Sequence, residues 1–431
     1  MNGAPMTSLP ASVSPAGPEA PGGPETPDDP ETSGGAGGGG AGGGGAGGAG
    51  AAGGGAGSGA GALDGARVAG LPAVWLRFNC RCPLCRDPVS GQRLLGITDV
   101  PADISVAGIT ASSGTVQVLF HPDGHRAVFD QDWLARYGEP GRNPPPDPRT
   151  EDAKRLWSAA RLGGDPPRGS WPRYLADAGY RRACQSAVLR DGLLVLSEVP
   201  ADPGAVLEVA ASLGYVRETN YGRLFDVRVE TSPANLAFTS LPIPPHTDNP
   251  YRDPVPTVQL LHCLDNAADG GDSGFVDGFH AAAALRAQDP AAFATLAATP
   301  VTFRYRDEAT ELSATRPLIS LDARGRIREI RVNSRSLEPV RLPGARASAF
   351  YAAYRAFAEL LSRPAAMLTV RLRPGDCAVF DNTRVLHART GFTGGGRRHL
   401  QGCYADLDGI ESAVAVGERA TTDDTRRKDR I

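Results

Sequence analysis

The chain has 431 residues, with 45 basic side chains against 48 acidic ones and a net charge of -3. A balance so near neutral excludes the strongly basic surface that nucleic acid or an anionic membrane would select, so neither is expected as a partner. Seven cysteines, three of them within six residues, do not form a secreted disulfide framework in a chain this long; thiolate-metal chemistry in a reducing cytoplasm fits better.

Residues 1–66 are rich first in Pro, Glu, Ser and Gly and then consist almost wholly of Gly and Ala. They offer too little apolar surface to offset the entropy of ordering, so a disordered tail is expected, and they lack the basic-then-apolar order of a signal peptide. Residues 67–140 read as a small β-rich domain. Short apolar runs at 73–76, 116–120 and 127–129 are strand-like, and Ser112-Ser113-Gly114 and Pro122-Asp123-Gly124 mark turns between them. A linker at 141–150 follows, stiffened by Pro144-Pro145-Pro146.

Residues 151–410 form the second expected domain. It opens with helical patterns at 153–161 and 174–189, and then strand-like runs alternate with helices. The strands are expected at 193–196, 257–261, 301–305, 327–332, 369–372 and 378–380, the helices at 281–287 and 347–361. Many short strands with a few helices suit a mainly β fold with helical insertions, a double-sheet jelly roll or double-stranded β-helix. Residues 411–431 end in TTDDTRRKDRI and read as a frayed charged tail.

The chemistry starts at IPPHTDNPYRDP, where His246 and Asp248 form an H-x-D pair. On a strand, residues i and i+2 share a face, so both side chains can reach one ion, and Pro244 and Pro245 stiffen the approach. His387 lies far downstream in VFDNTRVLHARTGF, in a polar stretch after a buried strand. Two imidazoles and one carboxylate on one metal leave three positions open, the facial triad of non-haem Fe(II) oxygenases. Arg398, in RRHLQGCYAD, shares a strand face with Leu400 and Gly402. Its fixed planar charge suits bidentate recognition of a carboxylate deep in a barrel. Arg397, just after Gly394-Gly395-Gly396, reads as its surface neighbour.

Upstream, Cys80, Cys82 and Cys85 form a C-x-C-x2-C cluster, and His125 or His121 can complete it. Three thiolates and an imidazole fill the tetrahedral shell of a structural Zn2+. His262, His280 and His399 read as structural, and Cys184, Cys263, Cys377 and Cys403 as small buried apolar residues.

Taken in order, H-x-D, VQLLHC, GGDSGFVDGF, FDNTRVLHAR and RHLQGCYAD resemble the γ-butyrobetaine and trimethyllysine dioxygenases, 2-oxoglutarate-dependent enzymes of the taurine dioxygenase superfamily. The resemblance runs from about Ala73 to Asp408. It implies Fe(II) on His246, Asp248 and His387, the distal carboxylate of 2-oxoglutarate on Arg398, O2 as oxidant, and ascorbate as a candidate reductant. It prefers His125 over His121 at the zinc, and it implies a homodimer. The implied substrate is a small quaternary ammonium compound, γ-butyrobetaine (giving carnitine) or an analogue such as a trimethylaminoethylphosphonate. A trimethylammonium group donates no hydrogen bonds and is held by aromatic faces. The aromatic set is Tyr221, Phe225, Phe238 and Tyr404. Phe225 and Phe238 replace a Trp and a Tyr of the family, Asn249 stands at another usual Tyr, and Asn333 matches a position holding the substrate's acidic end. The rival reading is a non-catalytic metal-binding protein of the same fold.

Overall fold

The structure, a computed structural model, describes residues 68, 70–138, 147–228, 239–393 and 396–428, so the tail at 1–66, most of the proline linker and Phe238 lie outside it. It divides into two compact units, residues 1–140 and 141–431.

The first unit contains α1 (Ala73–Phe78), β1 (Ser105–Ser112), β2 (Thr115–His121), β3 (Arg126–Asp130) and α2 (Gln131–Tyr137). The strands form an antiparallel sheet in sequence order. Along β2, Val116, Val118 and Phe120 alternate into the core, where they meet Ala127 and Phe129 of β3. Residues 73–76 are helical rather than the expected strand. A run of consecutive apolar residues carries no period, and Pro72 sets φ at -57° just before it; the Leu76 N–H then donates to Pro72 O.

The second unit begins with β4 (Arg168–Ser170), α3 (Trp171–Ala176), α4 (Ala178–Asp191), β5 (Leu193–Ser197), α5 (Ala205–Leu213), β6 (Phe225–Arg228) and β7 (Ile243–His246). It continues through β8 (Val258–Asn266), β9 (Asp269–Gly270), β10 (Ser273–Asp277), α6 (Gly278–Gln288) and α7 (Pro290–Ala298). Two hairpins follow, β11 (Val301–Arg306) with β12 (Glu311–Arg316) and β13 (Ile319–Leu321) with β14 (Ile327–Ile330). Then come α8 (Gly344–Leu361), β15 (Met367–Val370), β16 (Cys377–Asp381), β17 (Val385–Arg389), β18 (Phe392–Thr393), β19 (Arg398–Ala405) and α9 (Leu407–Lys428).

A large sheet ordered β4-β5-β16-β8-β19-β6 faces a smaller one ordered β15-β10-β17-β7. Their inner faces share one core, in which Phe275 of the small sheet meets Phe380 of the large sheet edge-on at 5.5 Å. This is the double-sheet jelly roll expected from the strand pattern. On β8, Leu261 and Cys263 enter that core, whereas Val258 and Leu260 pack on the opposite face with α5. His262 is buried on that outer side, and burial lowers its pKa, consistent with a structural role.

Three local expectations fail in the second unit. Residues 153–161 carry only a 3-10 turn, Glu151–Ala153, because Trp157 is held in place by its neighbours. Its backbone N–H donates to Asp277 and its indole N–H to Asp191 O. The expected helix at 174–189 is two helices, broken at Asp177, whose carboxylate caps α4 through Gly179 and Tyr180. The tail expected to fray is largely α9, tied near its start by a bidentate Arg149–Glu411 pair. Among the described residues no helix is long and apolar enough to cross a membrane.

Candidate active site

Strand pairing places the first two ligands. His246, the last residue of β7, is the direct cross-strand partner of His387 on β17, and their rings lie 4.1 Å apart. His387 is therefore on the strand itself, not in a polar stretch beyond it. Asp248 is likewise not on a strand with His246. It lies in the turn just past the end of β7, and that turn is pinned by its backbone. The Thr247 N–H donates to Val332 O and the Asp248 N–H to Asn382 Oδ1, while Asn382 Nδ2 returns a bond to Asp248 O. The chain reverses at Asn249, whose φ of 54° is a left-handed conformation that Asn tolerates better than most residues.

The ligand atoms of His246, Asp248 and His387 all lie within 4.8 Å of one another. His246 Nδ1 is engaged with Pro244 O at 3.0 Å, which leaves Nε2, 3.3 Å from Asp248 Oδ1, for an ion. Burial raises the Asp248 pKa, but the two imidazoles outweigh it and hold the carboxyl well below its ordinary range. Burial, reinforced by His246, lowers His387 to about 3. An ionised carboxylate and a neutral imidazole are the forms a divalent cation requires, so the donor set fits Fe(II). The other oxygen of Asp248, 3.9 Å from His387 Nε2, accepts from Gln259 Nε2 at 2.7 Å and from the Tyr404 hydroxyl at 3.0 Å.

The triad opens onto a cavity of about 510 Å3. Arg398 lines it, buried at the start of β19; its Nε donates to Gly271 O, and no carboxylate among the described residues pairs with it. Gly271 has φ +71°, and a Cβ there would lie 2.9 Å from Arg398 Cδ, so this glycine makes room for the guanidinium. Burial pushes Arg398 down to about 10, which still leaves it charged at neutral pH. Arg397 is on the surface as expected, paired with Asp265, and His399 turns to Asp226 at 2.7 Å.

Aromatic rings line another part of the cavity. Tyr221 is 6.0 Å from Phe225 and 5.8 Å from Tyr305; Phe225 is 5.3 Å from Tyr404, and Tyr251 is 5.1 Å from Tyr305. A Cβ on Gly402 would lie 2.3 Å from the Phe225 ring, so a glycine on β19 lets that ring lie flat against the sheet. Tyr251 and Tyr305 escaped sequence reasoning. Tyr251, three residues past Asp248 in HTDNPY, and Tyr305, in a run legible only as a strand, carried no signal separating cage from core. Asn249 and Asn333 also line the cavity. Both side-chain amide atoms of Asn249 are buried without a partner, whereas Asn333 donates to Thr247 O and accepts from Arg335.

In the first unit, His125 Nε2 lies 3.2 Å from Cys80 Sγ and 3.7 Å from the sulfurs of Cys82 and Cys85. His121, at the exposed end of β2, is not part of this cluster. Burial pushes Cys80 up to about 12, a cost that a cation among the sulfurs would relieve. The set fits Zn2+. Arg77 steadies it, donating to Cys85 Sγ and to Asp123, whose carboxylate also accepts the His125 N–H.

Known proteins match the same two regions. The family described as taurine catabolism dioxygenase TauD, TfdA matches residues 155–404, and the family described as gamma-butyrobetaine hydroxylase-like, N-terminal, matches residues 63–135. The chain is similar to the gamma-butyrobetaine dioxygenase of Pseudomonas sp. (strain AK-1), 37% identical over 368 residues, covering 82% of this chain and 92% of the relative. The gamma-butyrobetaine dioxygenase of Homo sapiens is 30% identical, with 82% of this chain and 95% of the relative covered. The trimethyllysine dioxygenase of Meyerozyma guilliermondii is 29% identical, with 81% and 91% covered. With a jelly roll that brings two histidines and an aspartate to one cavity, and with these matches over most of its length, the chain belongs to the TauD/TfdA dioxygenase family.

Proposed function

We propose that this chain is an Fe(II)- and 2-oxoglutarate-dependent dioxygenase that hydroxylates a C–H bond of a small trimethylammonium substrate, γ-butyrobetaine first among them. One observation carries the substrate class. The cavity that holds the triad is lined by Tyr221, Phe225, Tyr251, Tyr305 and Tyr404, and its sole carboxylate among the described residues is Asp248, which is committed to the metal. A primary ammonium in such a pocket would find no free carboxylate to pair with. A quaternary ammonium has none to satisfy and gains from the ring faces.

With Fe(II) on His246, Asp248 and His387, the site supplies oxidative decarboxylation of 2-oxoglutarate by O2 coupled to C–H hydroxylation, giving succinate, CO2 and the alcohol. Arg398 anchors the distal carboxylate of the co-substrate through its unpaired guanidinium edge. The rings fix the cationic end and exclude water. Asn249, with its two unpartnered amide atoms, and Arg335, which no carboxylate among the described residues pairs, also line the cavity and are suited to an anionic group. That guanidinium also supports a second reading, a substrate ending in phosphonate. In the first unit, Cys80, Cys82, Cys85 and His125 hold a structural zinc. Seven free thiols suit the cytoplasm.

Succinate release against a matched panel of trimethylammonium carboxylates and phosphonates tests the reading. γ-Butyrobetaine should stimulate turnover, and Tyr221→Ala should raise its KM about tenfold, the scale of one good cation-π contact. No stimulation by any quaternary ammonium compound sinks the assignment, whereas stimulation by the phosphonate alone selects the second reading.

A further inference from the structure

Tyr404 has two neighbours that no single role explains. Its ring lines the cavity 5.3 Å from Phe225, and its hydroxyl donates at 3.0 Å to the Asp248 oxygen that also accepts from Gln259. The other Asp248 oxygen is the one beside His246 Nε2. Gln259 and Tyr404 are cross-strand partners on β8 and β19, so the sheet fixes both donors, and Tyr404 is only 2% exposed.

We infer that Tyr404 is a positioning residue that couples occupancy of the aromatic cage to the metal-binding carboxylate. Resting on the reading that the cage takes a quaternary ammonium, the coupling has a simple physical origin. A cation against the ring face draws electron density from the phenol and makes its O–H a stronger donor. A stronger bond to one carboxylate oxygen leaves less charge on the carboxylate as a metal ligand. Partners of this outer kind tune ligand basicity and typically alter metal affinity by about 10–100-fold when removed. Substrate in the cage thus yields a more electron-poor metal, before any contact between substrate and ion. By linkage the effect is reciprocal: metal at the triad weakens cation binding by the same factor.

The test uses the full chain, Co(II) as an oxygen-stable ion, and tetramethylammonium as the cage probe at constant ionic strength. Co(II) affinity is read from its visible ligand-field band, with and without the probe. In the unaltered protein the probe should lower Co(II) affinity at least about fivefold, the lower end of ordinary coupling between sites. Tyr404→Phe keeps the ring and removes the hydroxyl. Its affinity for the probe, measured in the absence of metal, sets the concentration at which the probe saturates each protein. The coupling should fall by at least about twofold, and the part that persists is through-space repulsion between the two cations. Replacing Tyr404 by 3-fluorotyrosine, a stronger donor in the same shape, should enlarge the coupling. Equal coupling in the protein and in Tyr404→Phe, or no increase with fluorotyrosine, overturns the inference and leaves the cage intact. Failure of tetramethylammonium to bind the unaltered protein overturns the cage reading and the inference with it.

Discussion

Arg398 shows how much one side chain decides. An arginine at 7% exposure with no acid paired to it among the described residues is costly unless a carboxylate arrives from outside. Lysine would keep the charge but lose the planar fork, and hydrogen bonds to charged groups are worth roughly 1.5–3 kcal/mol each. Arg398→Lys should therefore raise the KM for 2-oxoglutarate about 10- to 100-fold while leaving tetramethylammonium affinity unchanged. An unchanged KM would move the co-substrate's distal carboxylate to another arginine lining the cavity, Arg389 or Arg335 among them. Arg398, His246, Asp248 and His387 were legible because each carries chemistry that few other roles need. Tyr251 and Tyr305 were not, since an aromatic on a strand or in a turn serves a core as readily as a pocket, and only the fold separates the two.

At the scale of elements, β17 is as important as the residues on it. Its first turn is anchored by Arg384, which is fully buried and forms a bidentate pair with Asp277 at the end of β10, the strand that pairs with His387. The same Asp277 caps α6 and accepts from Trp157, while Arg384 also donates to the carbonyls of Arg155 and Arg190. Removing one member of a buried pair leaves the other charge uncompensated, so Arg384→Met should cost roughly 3–5 kcal/mol in urea unfolding. Asp277→Asn combined with it should cost less than the two single changes summed, because the stranded charge is gone. Strict additivity would show that the pair is not coupled. Neither β17 nor β10 was among the strands expected from the sequence, where His387 read as part of a polar stretch, and nothing in FDNTR marks Arg384 as buried. Local pattern failed where a distant partner decides, as at 153–161, held by Asp277 and Asp191, and in the charged tail, where Arg149 ties α9. At 73–76 the apolar run carried no period and the adjacent Pro72 opened a helix. The H-x-D pair reached one ion, but through a turn pinned by Val332 and Asn382 rather than through strand alternation.

The whole molecule places two metal-binding sets of opposite character in its two units. Cys80, Cys82, Cys85 and His125 can supply four ligands and close the shell of a tetrahedral ion, so release would require several protein ligands to let go within a half-buried cluster. His246, Asp248 and His387 supply three and face a cavity, so solvent and chelator reach the ion directly. Brief treatment with EDTA should therefore strip iron and leave about one zinc per chain. Fe(II) alone should then restore succinate release. Cys82→Ser should eliminate the retained zinc and lower the melting temperature, because a structural zinc contributes its binding energy to folding. Metal analysis that found both ions leaving together, or zinc unaffected by Cys82→Ser, would remove the structural role from the sulfur cluster. Such a result would leave the triad's chemistry standing, since its ligands come from β7, β17 and the turn between β7 and β8, none of which draws a ligand from the first unit.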